Sequence, residues 1–283
     1  MESAILCRKM KKTYGSFTLD IEDFKVATGT VHGLIGANGS GKTTTIKLLL
    51  GLLFPDSGEL SVLGSSRIGN EAETRQHIGF IVDDASVPSL VTANELAAVL
   101  RRCYQHWDQG QYEMYLRQFQ IDPKKQYRKY SKGMKVKLQL AVALSHHASL
   151  LILDEPTSGL DPLARDEIIS ILSEFSKDEN HTILISSHIT SDLEKLCDYV
   201  TFLEEGCIRF TEEKDELLET YRLGIVSHQM VADIDSDSII AKREGSFQVE
   251  LLLRTEDVPS FLESRRLSLE ELIIFLSKGR SAV

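Results

Sequence analysis

The stretch that most constrains this chain is Gly36-Ala37-Asn38-Gly39-Ser40-Gly41-Lys42-Thr43, a complete match to G-x-x-x-x-G-K-[ST]. Glycines there let successive backbone N–H groups curl around a polyphosphate where side chains would collide. Lys42 brings a point charge to the outer phosphates, and Thr43 offers a hydroxyl to Mg²⁺. The flanks dictate local structure. Val31-His32-Gly33-Leu34-Ile35 reads as a short buried strand, and Lys42 to Leu52 as a helix whose N-terminal dipole attracts an anion. A chance glycine turn between strand and helix is the plainer reading; a complete and correctly flanked match outweighs it.

A second signal narrows the chemistry. Leu150-Leu151-Ile152-Leu153-Asp154-Glu155 is an apolar run ending in two carboxylates, the pattern of a buried parallel strand. Ligand chemistry in open α/β sheets gathers at the carboxyl ends of strands. Asp154 is placed to hold Mg²⁺, directly or through water, and Glu155 to orient or deprotonate an attacking water. A strand followed by an acidic turn is the bland alternative, and it weakens behind a phosphate loop.

With these residues the chain resembles the ATP-binding-cassette (ABC) ATPase family over about residues 1–210. Tyr14 sits where the family stacks an aromatic ring on adenine. Ser131-Lys132-Gly133-Met134-Lys135 occupies the place of its signature sequence. Pro156-Thr157-Ser158-Gly159-Leu160-Asp161 follows the carboxylates as the family's D-loop does. His188, in Ile185-Ser186-Ser187-His188, matches the switch histidine that contacts the γ-phosphate. Taken singly, Tyr14 reads as a turn residue and His188 as a surface histidine; their order and spacing favour the site. Asp161-Pro162 also reads as an N-cap with proline at the first helical position, ahead of a helix with Ile168, Ile171, Leu172 and Phe175 on one face. Asp161 can serve both purposes.

Two departures from the family pattern stand out. Its signature is usually Leu-Ser-Gly-Gly-Gln; here Tyr130, Lys132 and Met134 replace Leu, the first Gly and Gln, while Ser131 and Gly133 remain. That variant resembles bacterial exporters whose ATPase is a separate chain. The loop linking nucleotide to membrane partner usually begins with Gln, and Asp83 holds that position here. Shorter and charged, Asp83 suits a water-mediated contact with Mg²⁺ better than a direct one.

Composition agrees. A chain of 283 residues can hold two domains. It has no apolar run of the roughly 18 residues a spanning helix needs, and Met1-Glu2-Ser3-Ala4-Ile5 lacks the pattern of a secretory signal. Cys7, Cys103, Cys197 and Cys207 make no C-x-x-C pair and read as reduced thiols. Of the net charge of −10, −7 falls after Leu203 and −3 before it, so neither part carries the basic footprint of a nucleic-acid binder.

Thr18 to Phe24 alternates, with Leu19 and Ile21 on one face, and Gly58 to Gly64 repeats the pattern; both predict half-buried strands of an antiparallel layer beside a mainly parallel core. About Thr92 to Ala148 the pattern turns helical. Trp107, Tyr112, Tyr115 and Phe119 there fit packing between helices better than base stacking. His146-His147 cannot share one helix side, which argues against a metal. Past a boundary near residues 212–224, Ile225, Val226, Phe247, Val249, Leu251 and Leu253 suggest short strands. Ser268 to Glu271 is a capping box, Leu269, Leu272, Ile273 and Leu276 form one helical face, and Gly279 follows its end.

The expectation is therefore α/β. Residues 1–212 form a P-loop ABC nucleotide-binding domain with an inserted helical subdomain at about 86–148; residues 213–283 form a small C-terminal α/β domain serving dimer contact, regulation or stability. The resemblance implies an ATPase subunit using ATP and Mg²⁺ and powering bacterial export through a separate integral membrane subunit. It implies a location in the cytoplasm, peripheral on the membrane, and a head-to-tail pairing of two ATPase chains. Gly36, Asn38, Gly39, Ser40, Gly41, Lys42, Thr43 and Thr44 of one chain would hold the phosphates; Ser131 and Gly133 of the other, with Asp161, would close the site. Glu155 would act as base and His188 would fix water and phosphate; Thr43, Asp83 and Asp154 would serve the metal. A non-transport ABC protein acting on nucleic acid, ribosomes or regulation is the rival reading.

Overall fold

The computed structural model describes residues 2–66, 72–82 and 87–278. Compactness divides the chain into two units, one of Met1–Ile189 with Tyr199–Thr211, the other of Thr190–Asp198 with Glu212–Val283.

The first unit opens with a hairpin, β1 (Ser3–Tyr14) and β2 (Phe17–Ala27), followed by β3 (Val31–Ile35), α1 (Lys42–Leu49) and β4 (Ser57–Val62). Then come α2 (Ala72–Gln76), β5 (Ile78–Ile81), and the helices α3 (Ala93–Cys103), α4 (Gln109–Gln118) and α5 (Lys132–Leu144). β6 (Leu150–Asp154), α6 (Pro162–Phe175), β7 (Thr182–Ser187), β8 (Tyr199–Glu204) and β9 (Cys207–Glu213) complete it. One nine-stranded sheet runs β4-β1-β2-β9-β8-β3-β7-β6-β5. The expected antiparallel layer, β4-β1-β2, is thus continuous with the core sheet in strand order. It joins through a single parallel pairing, Asp20 with Cys207. β8, β3, β7, β6 and β5 are parallel neighbours.

Burial explains the patterns. β3 is buried at every residue, as its unbroken apolar run predicts for a strand covered on both faces. β2 alternates, with Leu19 and Ile21 inside and Glu22 out. β4, an edge strand paired on one side with β1, departs from the predicted alternation: only Val62 is buried. Ile46, Leu48 and Leu49 of α1 pack with Leu34, Leu150, Ile152 and Leu184 in one core cluster. Fully burying such a side chain contributes roughly 1.5–3 kcal/mol.

The inserted helices carry their own start signals. Thr92 and Glu95 make a reciprocal capping box on α3, Asp108 caps α4 and Ser131 caps α5. Tyr112 is fully buried, donates its hydroxyl to the Ala93 carbonyl at 2.9 Å and lies 5.0 Å from the Trp107 ring. These aromatics pack helices together. His146 is likewise a packing residue, stacked on Tyr104 at 3.9 Å.

The second unit holds α7 (Thr190–Leu196), α8 (Lys214–Thr220), β10 (Tyr221–Val226), β11 (Ile239–Glu244), β12 (Val249–Arg254), β13 (Ser264–Arg265) and α9 (Leu269–Lys278). Its sheet runs β11-β12-β10-β13, over a core containing Val226, Val249, Leu251 and Leu253. Phe247, predicted within a strand, instead lies in the β11–β12 turn and is 92% exposed. The capping box before α9 forms: Ser268 Oγ accepts from Glu271 N–H, and the Glu271 carboxylate accepts from Ser268 N–H. Leu269 and Leu272 of its predicted face are buried, joined by Phe275. Gly279 lies outside the described residues.

Candidate nucleotide site

The phosphate loop emerges from the carboxyl end of β3, between β7 and β8, whose ends stand in register with it. Its glycines are required for different reasons. A Cβ on Gly36 would come within 2.3 Å of the Leu203 carbonyl oxygen, whereas Gly39 has open space but a φ of +83°. Gly41 caps α1 with no side-chain partner, and no acidic residue occupies the first turn, so the dipole is left to attract an anion. Asn38, Gly39, Gly41, Lys42, Thr43 and Thr44 line an open cleft of about 700 Å³, together with Tyr14, Phe17, Glu155, Ser158 and His188. Gly36 and Ser40 of the loop are buried and do not line the cleft. Ser40 Oγ is buried and has no hydrogen-bond partner among the described residues.

The chemical groups are linked. Lys42 Nζ donates to the carbonyls of Gly36 (2.7 Å) and Ala37 (3.2 Å) and stands 3.4 Å from Glu155 Oε1. Thr43 Oγ1 donates to Asp154 Oδ2 at 2.8 Å, and Ser186 Oγ donates to Asp154 Oδ1 at 2.6 Å. Glu155 Oε2 lies 2.5 Å from His188 Nδ1. Glu155, the first residue after β6, has φ +50°, a left-handed conformation uncommon for a residue with a side chain. A hydroxyl and a carboxylate side by side are hard oxygen donors of the kind Mg²⁺ takes with waters. With the loop N–H groups and the orphan Ser40 hydroxyl, this set fits a Mg²⁺–triphosphate.

Comparison with known proteins decides the family. The ABC transporter family model matches residues 19–158. Bacitracin transport ATP-binding protein BcrA of Bacillus licheniformis is 38% identical over 209 residues, 73% of this chain and 68% of that protein. The chain belongs to the ABC transporter ATPase family. ABC transporter ATP-binding protein YtrB of Bacillus subtilis is 28% identical over 94% of this chain and 95% of its own length. A solved ATP-binding subunit of an ABC transporter superposes with a TM-score of 0.67 at 28% identity, covering 76% of this chain and 92% of that one.

Within this ABC ATPase Ser131, Gly133 and Asp161 lie apart from the cleft lining. Ser131 accepts from Met134 N–H at 3.3 Å and Asp161 from Ala164 N–H at 3.0 Å, so both cap helices. Gly133 has no internal reason to be glycine: a Cβ there would meet only ordinary contacts with Ala164 and Leu160. Asp83 lies outside the described residues. Phe17, Ser158 and Ser186 were not predicted. The pairing of Tyr14 with Phe17 across the β1–β2 turn could have flagged Phe17; Ser186 becomes visible only once β7 is beside β6.

Proposed function

We propose that this ABC ATPase is the ATP-hydrolysing subunit of a bacterial exporter, acting on a separately encoded integral membrane subunit at the cytoplasmic face of the cell membrane. The observation that carries the reading is the connected set Lys42, Thr43, Asp154, Glu155 and His188 around one cleft. The loop N–H groups and Lys42 bind the phosphates, and Tyr14 stacks on the base. Thr43 and Asp154 would hold Mg²⁺, which when bound would offset charge on the outer phosphates. Asp83 would reach that ion through water. Glu155 accepts the proton of the attacking water, and His188 keeps its carboxylate oriented.

Residues 1–212 are read as the nucleotide-binding domain and 213–283 as the C-terminal domain. Ser131 and Gly133 complete the site of a second ATPase chain, head to tail; a glycine unconstrained within its own chain suits close approach by another. Asp161 lines the same junction. The likeness to a bacitracin transport subunit supports an antibiotic or peptide cargo over a lipid-like one.

The test is affinity purification from membranes and cytosol in parallel, with nuclease treatment. Co-purification with an integral membrane protein that alters ATPase activity is expected. Recovery only in ribosome- or DNA-bound material, lost on digestion, would replace this reading with a non-transport one.

A further inference from the structure

Ser186 occupies a point from which both carboxylate residues of the site are held at once. Parallel β6 and β7 pair in register with Asp154 beside Ser186. Ser186 has no exposed surface. A hydroxyl so buried is costly unless its donor and acceptor capacities are both used, and both are. It donates to Asp154 Oδ1 at 2.6 Å and accepts from Glu155 N–H at 3.0 Å, an N–H that also reaches the Ser186 carbonyl at 3.2 Å. Asp154 is thereby clamped between two hydroxyls, Ser186 on one oxygen and Thr43 on the other. Glu155, at φ +50°, is anchored through its N–H in a conformation that side-chain-bearing residues keep only when their surroundings enforce it.

We infer that Ser186 is a positioning residue for ATP hydrolysis, locking the metal-side carboxylate of Asp154 and the backbone of Glu155 in one fixed relation. The inference rests on the ATPase reading. Ser186 does not line the cleft, so its loss acts on turnover and on metal engagement rather than on nucleotide capture.

The test uses Ser186→Ala and Ser186→Cys in the full chain. Cysteine keeps the volume but hydrogen-bonds weakly. A packing role predicts a cysteine variant like wild type; the hydrogen-bonding role predicts that it follows alanine. The measurements are kcat and KM for ATP, the Mg²⁺ concentration for half-maximal response of a fluorescent ATP analogue, the metal-free affinity of that analogue, and the melting temperature. In both variants kcat should fall roughly 10- to 100-fold, the scale of small misplacements of reacting groups. KM should stay within about threefold, half-saturating Mg²⁺ should rise, and metal-free binding should hold. A folded cysteine variant with wild-type kcat and Mg²⁺ response overturns the inference, as does an alanine variant that loses metal-free binding in step with turnover. If alanine fails to fold, the cysteine variant decides. If wild type hydrolyses no ATP, the ATPase reading fails instead; an unchanged Mg²⁺ titration in the variants then overturns the positioning role as well.

Discussion

At the scale of single residues, Lys42 and Glu155 face the same cleft with opposite duties. Glu155→Gln keeps the shape and the loop but removes the base, so ATP binding should persist while steady-state turnover falls by about 10²–10⁴-fold. Lys42→Ala removes the cation and should weaken nucleotide binding itself. Equilibrium binding and phosphate release on both variants check this, and near-normal turnover by Glu155→Gln would end its role as base. The cysteines divide by environment. Burial pushes the Cys7 thiol up to about 12 and raises Cys197 strongly, whereas Cys103 is exposed and Cys207 half-buried. Thiolate is the reactive form. Iodoacetamide on the native protein should therefore modify Cys103 and Cys207 and spare Cys7 and Cys197, read by peptide mass spectrometry; rapid labelling of Cys7 would contradict its burial.

Among the elements, β3 carries the phosphate loop and is held by an unusual interior residue. His32 is buried, its Nε2 is 2.6 Å from Thr201 Oγ1 of β8, and its ring stacks 6.0 Å from Tyr199. Burial lowers its pKa from 6.5 to about 4. Above the unfolded value both states are neutral at this site and nothing is lost. As pH falls from 6.5 toward 4, the unfolded chain takes up a proton that the folded chain refuses, so stability declines. Between pH 7 and 5 the loss should be about 2 kcal/mol from this residue. Urea unfolding of wild type and His32→Gln at both pH values measures it, and the variant should show a drop smaller by that amount. Much of this level was legible in advance. Runs such as Leu150 to Leu153 and the stop at Asp161-Pro162 name a strand and a helix start from local rules alone. The edge character of β4 and the exposure of Phe247 were not legible, because both depend on which strand lies alongside.

For the whole molecule, the decisive question is assembly. Ser131 and Gly133 stand outside the cleft of their own chain, and their proposed role requires a second one. Glu155→Gln with Mg²⁺–ATP should accumulate a dimer, since the γ-phosphate would bridge two chains. Adding Ser131→Arg should block it by bulk and charge while leaving nucleotide binding within about threefold, because binding energy from the loop is untouched. Light scattering after size exclusion reads the mass. A dimer undiminished by Ser131→Arg would remove the signature from the interface. The second compact unit draws Thr190–Asp198 from upstream of β8 together with Glu212–Val283. Linear composition cannot announce such a discontinuous grouping.

The sequence by itself determined the phosphate loop, the strand-end carboxylates and the order of motifs that mark an ABC ATPase. Each is written in contiguous residues whose conformational or chemical demands are local: glycine for a left-handed φ, an apolar run for a doubly covered strand, proline after an N-cap. Only the tertiary structure decided that Thr43 and Ser186, from two other elements, meet on the Asp154 carboxylate, and that Glu155 meets Lys42 and His188. Parallel pairing of β6 with β7 brings together residues 32 positions apart, and that of β7 with β3 residues more than a hundred apart. Register between strands is set by the packing of the whole sheet, not by either strand alone.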